Sequence, residues 1–203
     1  SYSNMNTKKI GFIGAGNMAT SLINGLIASG HSPQQIWASD VDQDKLQSLG
    51  ANLGIHTAAS NEVLVNESDV IVLAVKPQVL QSVAVGVGSL IQQKNSLVVS
   101  IAAGVNQESL AQWLGSQVSI VRCMPNTPAL VLTGATALHS NASVNDEQRN
   151  LAENIMRSVG LAIWVEDEKE LDAVTAVSGS GPAYYFLMME AMDKSAIDLG
   201  LEP

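Results

Sequence analysis

The sequence predicts an α/β fold, with a doubly wound parallel sheet followed by a second, all-helical region. Short β-rich apolar runs alternate with stretches of helical periodicity as far as residue 171. Residues 70–75 are apolar at every position, which indicates a strand buried on both faces between helical layers. A Gly-x-Gly-x-x-Ala turn joins the first apolar run to a helical stretch. Together these features are typical of a doubly wound sheet.

Five strands are predicted in the first part of the chain, and helical stretches connect them. They cover residues 10–13, 36–39, 70–75, 97–102 and 118–123. Two further strands, 135–139 and 161–165, flank a polar-faced helix over residues 146–158 and should extend the edge of the sheet. Residues 1–7 are polar and lack periodicity, so we expect a disordered terminus or an expression remnant without function.

The composition excludes several classes of partner. The 203 residues are 46% hydrophobic and 14% charged, with a formal net charge of −9. Such a negative chain should repel nucleic acid and anionic membranes. The longest apolar run is too short for a bilayer span, and no secretion signal is recognisable. We therefore expect a cytoplasmic protein with no nucleic-acid and no membrane partner.

Cysteine and histidine usage argues against disulfides and metals. The single cysteine, Cys123, excludes an internal disulfide and should be a small buried side chain. The three histidines, His31, His56 and His139, lack the spacing of metal ligands and are expected at the surface or at sheet ends. We predict no metal site.

The glycine-rich turn predicts a Rossmann-type dinucleotide-binding domain over residues 8–171. Gly14 permits the tight turn, Gly16 lets a pyrophosphate approach the backbone, and Ala19 allows the helix to pack closely on the strand. The start of that helix offers unpaired N–H groups to a diphosphate. The alternative is a glycine-rich turn that only joins a strand to a helix.

Asp40 ends the second strand about twenty residues after the turn, where a carboxylate can accept hydrogen bonds from both ribose hydroxyls. Asp42 and Asp44 follow, with Lys45 as the one nearby cation. This charge should repel a 2′-phosphate and favours NAD over NADP. Alternatively, Asp40 caps the next helix.

Further motifs should lie at the same edge of the sheet. The segments 74–77 and 100–104 follow strands, and Lys76 is either near phosphate or substrate or simply solvated. Prolines at 125 and 128 stiffen a later loop. Ser178-Gly179-Ser180-Gly181-Pro182 opens an apolar helix, either as a site for a substrate carboxylate or as an ordinary cap.

The combined motifs resemble those of the pyrroline-5-carboxylate reductases over nearly the whole chain. Five occur in order: Phe12-Ile13-Gly14-Ala15-Gly16-Asn17-Met18, Ala74-Val75-Lys76-Pro77, Ser100-Ile101-Ala102-Ala103-Gly104, Met124-Pro125-Asn126-Thr127-Pro128 and Ser178-Gly179-Ser180-Gly181-Pro182-Ala183-Tyr184. The resemblance implies the last step of proline biosynthesis, in which NADPH or NADH reduces 1-pyrroline-5-carboxylate to L-proline.

The resemblance also implies site residues. Near the substrate it implies Glu168, Ser178, Gly179 and Ser180, with Thr175 as the catalytic candidate. Asp40 departs from the hydroxyls or arginine common in NADP-type relatives. The implied cofactor contacts are Ile13, Gly14, Ala15, Gly16, Asn17, Met18, Ser39, Asp40, Asn61, Ala74, Val75, Lys76, Pro77, Ile101, Ala102 and Ala103.

Residues 172–203 are expected to begin a helical dimerisation domain that the sequence does not finish. The helix after Pro182 is apolar on most of its circumference, which predicts burial on several sides. The resemblance implies a homodimer or a higher homo-oligomer. It also implies a later Ser-Pro-Gly-Gly-Thr-Thr substrate loop that this chain lacks, so the resemblance does not establish activity for this length of chain.

Two alternatives stay open at the level of sequence. The first is another NAD(P)-dependent imine or 3-hydroxyacid reductase. The hydroxyacid enzymes need a catalytic lysine on the helix after their glycine-rich turn, whereas the first lysine after Pro182 is Lys194, more than three turns in. The second is a dinucleotide-binding module that catalyses nothing.

Overall fold

The computed structural model describes residues 5–125 and 134–171. The strands are β1 (Ile10–Ile13), β2 (Ile36–Ser39), β3 (His56–Thr57), β4 (Val70–Leu73), β5 (Leu97–Ser100), β6 (Ile120–Pro125), β7 (Gly134–Ser140) and β8 (Gly160–Trp164). The helices are α1 (Asn17–Ala28), α2 (Gln43–Leu53), α3 (Asn61–Glu67), α4 (Pro77–Lys94), α5 (Gln107–Leu114) and α6 (Asp146–Arg157).

All eight strands form one sheet in the order β3-β2-β1-β4-β5-β6-β7-β8. Neighbouring strands from β3 to β6 are parallel, and β7 and β8 are parallel to each other. The chain order reverses between β1 and β4, which creates the crevice where ligands of doubly wound sheets bind. The predicted α/β fold with a doubly wound sheet is confirmed.

Two buried clusters cover the two faces of the sheet. Val70 and Val72 of β4 belong to the cluster shared with α1, α2 and α6. Ile71 and Leu73 belong to the cluster shared with α3, α4 and α5. Each of these four side chains is at most 1% exposed. The continuous apolar run therefore arises because alternate side chains enter opposite layers.

Several strands begin or end at other residues than predicted. β4 and β5 stop two residues early because residues 74–75 and 101–102 leave the ladder and enter loops. The predicted strand 118–123 is β6 at Ile120–Pro125. β3 is missing from the predictions because two residues are too short for a periodic pattern. The edge extension by β7 and β8 is correct, but β7 runs antiparallel to β6.

The N-terminal segment is also more ordered than expected. Met5–Thr7 forms a 3₁₀ turn in which the Met5 side chain is buried in the first cluster. The Met5 carbonyl accepts a hydrogen bond from the Lys8 N–H. Residues 5–7 therefore differ from the predicted disordered terminus, because burial of the thioether side chain offsets the entropy lost on ordering.

Within residues 5–125 and 134–171, no helix has both the length and the apolar character that a bilayer span requires.

Candidate functional site

The carboxyl ends of four parallel strands meet at one edge of the sheet. Ile13 of β1 pairs in register with Ser39 of β2 and with Leu73 of β4. Leu73 in turn pairs with Ser100 of β5. The loops that follow these four residues contain most of the predicted cofactor contacts. The register therefore brings those contacts together around the crevice between β1 and β4.

Gly14 makes a turn that other residues could not make. Its φ of 103° lies in the left-handed region. A Cβ atom on Gly14 would lie 2.6 Å from the carbonyl oxygen of Ala74. The Gly14 N–H donates to the Ser39 carbonyl at 2.8 Å, and the Ala74 N–H donates to the Ile13 carbonyl at 2.8 Å. The ends of β1, β2 and β4 are thus packed directly against one another.

Gly16 leaves open space at the start of α1. It is the N-cap residue of α1, and no side chain caps that helix. A Cβ atom on Gly16 would meet no atom within 4 Å. The backbone N–H groups in the first turn of α1 therefore lie beside open space, because Gly16 has no side chain to fill it. This geometry fits the pyrophosphate of a dinucleotide.

The helices that begin at the crevice differ from the others in that no side chain caps their first turn. Four helices begin with a side-chain cap, namely α2 with Asp42, α3 with Ser60, α5 with Asn106 and α6 with Asn145. Among the α-helices that the structure describes, α1 and α4 alone have no side-chain cap. They follow β1 and β4, the two strands that flank the crevice. The first N–H groups of α1 are therefore available to a ligand. α4 offers fewer, because its first residue, Pro77, has no N–H and the Val79 N–H donates to the Lys76 carbonyl at 3.1 Å.

Asp40 holds the glycine-rich turn in place. Its Oδ2 accepts a hydrogen bond from the Ala15 N–H at 2.7 Å, and its Oδ1 accepts one from the Asp42 N–H at 2.8 Å. The alternative that Asp40 caps α2 is wrong, because Asp42 is the cap and accepts from the Lys45 N–H. A carboxylate offers about four acceptor positions, so ribose hydroxyls could still bind here.

Ser39 and Asn61 also meet at this end of the crevice. The Ser39 hydroxyl donates to Asn61 Oδ1 at 2.7 Å. Asn61 is the first residue of α3, which follows the short strand β3. The resemblance alone pointed to Asn61, and the structure brings it next to the end of β2.

The remaining predicted cofactor contacts differ in their exposure. Lys76 is exposed as the N-cap residue of α4, and Pro77 is the first residue of that helix. Ala103 is exposed, whereas Ala102 is 4% exposed and packs in the second cluster. Ala102 therefore offers a ligand almost no exposed surface.

Glu168 forms an ion pair with the buried Arg122, a contact that the sequence did not predict. Glu168 Oε1 lies 2.7 Å from Arg122 Nη1 and accepts the Gln107 N–H at 2.6 Å. Arg122 is 1% exposed in β6, at the register position of Ser100. Since Ser100 ends β5, the pair lies at the same edge of the sheet as the cofactor loops. A buried arginine in an apolar strand was the one signal in the sequence for it, because buried guanidinium groups require an acidic partner.

The cysteine and His31 make none of the contacts described above. Cys123 is 1% exposed, and burial raises the pKa of its thiol. His31 is buried rather than at the surface, and burial lowers its pKa. Within the part of the chain that the structure describes, no three His, Cys, Asp or Glu side chains gather as ligands for a metal ion.

Four predicted residues lie outside the described residues: Thr175, Ser178, Gly179 and Ser180. The same holds for residues 126–128 of the proline-flanked loop and for the region 172–203.

Two family profiles match the chain. The profile described as NADP oxidoreductase coenzyme F420-dependent matches residues 9–104. The profile described as pyrroline-5-carboxylate reductase dimerisation matches residues 168–203. The second match thus begins at Glu168.

Curated relatives and solved structures match over nearly the whole chain. The pyrroline-5-carboxylate reductase of Pseudomonas aeruginosa is 47% identical over 197 residues, which cover 97% of this chain and 72% of the relative. The structure of a pyrroline-5-carboxylate reductase from Coxiella burnetii has a TM-score of 0.84 at 45% identity and covers 97% of this chain and 73% of its own. The crystal structure of Plasmodium falciparum pyrroline carboxylate reductase with NADP bound has a TM-score of 0.77 at 31% identity, with coverages of 97% and 72%.

Proposed function

Because the chain belongs to the pyrroline-5-carboxylate reductase family, we propose that it reduces 1-pyrroline-5-carboxylate to L-proline with hydride from NADH or NADPH. One structural observation carries the cofactor part of the proposal. The uncapped start of α1 opens beside a turn at Gly14 that only glycine fits, at the point where the strand order reverses. The substrate part of the proposal rests on the family.

The cofactor would be held mainly by backbone groups. The N–H groups at the start of α1 suit the pyrophosphate, while Ser39, Asp40 and Asn61 suit the adenosine ribose. When bound, the nicotinamide supplies the hydride. The segments 74–77 and 101–103 would line the rest of the crevice and exclude water from it.

We propose a preference for NAD(H) over NADP(H). The Asp40 carboxylate stands at the ribose end, and Asp42 and Asp44 follow it. A 2′-phosphate placed there would be repelled by these carboxylates. The bond from the Ala15 N–H supports this proposal, because it fixes the Asp40 charge next to the turn.

The protein's task in the reaction is orientation. A protonated cyclic imine already accepts hydride well, so the chain needs no strong general base. Its residues must fix the substrate carboxylate and hold the imine carbon toward the hydride donor. For these tasks we retain the residues implied by the family, namely Glu168, Thr175, Ser178, Gly179 and Ser180, as proposals.

We further propose a homodimer or larger homo-oligomer, supported by the dimerisation profile over residues 168–203. A cytoplasmic location remains our proposal from the composition.

The decisive test is turnover by the chain extended through its natural end. We expect oxidation of NADH or NADPH that depends on added pyrroline-5-carboxylate and yields proline. The family assignment of function fails if no imine-dependent oxidation occurs. Calorimetric binding of NADH without turnover, in every length of chain, would instead identify a dinucleotide-binding module.

A further inference from the structure

Arg122 places a permanent positive charge inside the sheet. Its side chain is among the largest fully buried ones, at 1% exposed. A guanidinium group stays protonated at all physiological pH values, so burial without a partner would be very costly. Glu168 supplies the negative charge, and its own side chain is 24% exposed.

The Glu168 carboxylate joins two elements that lie far from it in the chain. Its Oε1 accepts from Arg122 in β6 and from the backbone N–H of Gln107. Gln107 is the first residue of α5, so the carboxylate also receives one of the N–H groups that a helix start leaves unpaired. α5 follows directly on the loop that contains Ile101, Ala102 and Ala103.

A second set of contacts supports the junction that Glu168 forms with Arg122 and the Gln107 N–H. The Gln107 side-chain Nε2 donates to the His139 carbonyl at 3.0 Å. The His139 ring Nδ1 lies 3.1 Å from the Val165 carbonyl, three residues before Glu168. Gln107 is therefore bonded through its backbone to Glu168 and through its side chain to His139 of β7, whose ring contacts the Val165 carbonyl.

We propose that Glu168 is a positioning residue for the reaction. The ion pair with Arg122 and the bond from Gln107 fix the start of the dimerisation region against the loop that follows β5. This inference rests on the proposed function, because the loop that follows β5 contains proposed cofactor contacts and the other residues that the family implies near the substrate follow Glu168 in the chain. It gives Glu168 a role in addition to the substrate contact that the family implies, since Oε1 accepts from two protein donors.

The physical reason is the cost of separating the charges. If Glu168 moved away from β6, Arg122 would lose a carboxylate that helps to compensate its buried charge. The ion pair and the bond from Gln107 therefore favour one placement of Glu168 against β6 and the start of α5. Hydride transfer depends steeply on such an arrangement, because small displacements of the reacting atoms slow it strongly.

The test compares Glu168→Gln with Glu170→Gln in the chain extended through its natural end. Glu170 is exposed and lies two residues further on, so its variant removes the same charge without touching the junction. For Glu168→Gln we expect the Gln107 amide to exchange its hydrogen about tenfold faster. We also expect kcat to fall about tenfold or more, with the Kd for NADH within about twofold of the parent value. Glu170→Gln should change none of these quantities.

A double variant separates positioning from stability. Arg122→Met/Glu168→Met replaces the ion pair with apolar side chains of similar length, so it should unfold at a higher temperature than Glu168→Gln. We expect its kcat to stay about tenfold low, because apolar side chains do not hold the Gln107 N–H. A kcat restored to the parent value would overturn the proposal, since stability alone would then explain the loss.

Other outcomes also count against the proposal. If Glu168→Gln raises only the KM for the imine and leaves Gln107 exchange unchanged, Glu168 is a substrate contact. If both Glu variants behave alike, the junction has no positioning role. If the parent protein reduces no imine at all, the proposed function fails. Amide hydrogen exchange at Gln107 and over residues 101–104 then decides by itself whether Glu168 holds the junction.

Discussion

The Asp40 carboxylate accepts the backbone N–H of Ala15 at 2.7 Å, although the two residues are 25 positions apart. The bond joins the end of β2 to the glycine-rich turn that precedes α1. It also holds a negative charge just after the end of β2, beside the crevice. One residue therefore shapes the turn and sets the local charge, and the first prediction tests the effect of the charge.

Replacing Asp40 should change the cofactor preference. We expect Asp40→Ser to raise the affinity for NADPH relative to NADH about tenfold, because it removes the charge facing a 2′-phosphate. Dissociation constants of both cofactors, measured by calorimetry, give this ratio. Asp44→Ser is the comparison and should change the ratio much less, since Asp44 is an exposed residue in the first turn of α2. An unchanged ratio, or an equal change in Asp44→Ser, would refute the Asp40 argument.

Gly14→Ala should abolish most cofactor binding. The new Cβ would lie 2.6 Å from the Ala74 carbonyl oxygen, so β1 and β4 would have to separate at the crevice. We expect the Kd for NADH to rise about a hundredfold.

Gly30→Ala is the matched control for this substitution. Gly30 has a similar φ of 97°, but a Cβ there meets no atom within 4 Å. Both variants should lose about 1 kcal/mol of stability or more from backbone strain, while only Gly14→Ala should lose cofactor affinity. Equal affinities for the two variants would contradict our account of the turn.

The contact between α1 and α6 depends on a second close approach. A Cβ on Gly25 would lie 2.4 Å from the Ser158 carbonyl oxygen. We expect Gly25→Ala to lower the free energy of unfolding by about 2 kcal/mol. Gly86→Ala, at an open position of α4, should raise it by about 0.5–1 kcal/mol because alanine favours helix. Denaturant unfolding measures both, and a shift of the same sign in the two variants would refute the packing argument.

Stability should depend on pH through His31. Burial lowers the pKa of His31 below its ordinary 6.5, and the backbone of Lys8 beside the ring opposes this shift. The unfolded chain therefore binds more protons than the folded one between the lowered pKa and 6.5. The contribution of the neutral ring is fully present above pH 6.5 and is lost as the pH falls through the folded-state pKa.

Unfolding free energies measured from pH 8 to pH 5 test this dependence. His31→Gln should flatten the decline below pH 6.5. His56→Gln serves as the comparison, because His56 is exposed and stacks on Trp37. If the free energy of unfolding of His31→Gln falls with pH as steeply as that of the parent protein, another group causes the decline.

The Cys123 thiol should be unreactive in the folded protein. It is 1% exposed, and burial raises the pKa of the thiol, so little thiolate forms at neutral pH. A disulfide exchange reagent should label it only after unfolding in denaturant. Rapid labelling of the native protein at pH 7.5 would contradict the described packing of β6.

Some features of the fold were readable from local pattern, and others were not. The bounds of β1 and β2 follow from their short apolar runs. The direction of β7 is not encoded in periodicity, because side chains alternate alike in parallel and antiparallel strands. The bonds from Ala15 to Asp40 and from Arg122 to Glu168 join residues 25 and 46 positions apart. Such contacts depend on the tertiary arrangement, so the sequence suggested Asp40 as a site residue but not its partner.

The missing side-chain caps of α1 and α4 link cofactor binding to the stability of the folded protein. Each absent side-chain cap forgoes about 1 kcal/mol of stability, and α1 and α4 both lack one. A bound diphosphate would take over the capping of α1, so the folded state should gain stability with rising dinucleotide concentration. If the total pool of the dinucleotide fell, more of the protein would unfold and become accessible to proteases. The lifetime of the protein would then depend on the concentration of its own cofactor, oxidised and reduced forms together.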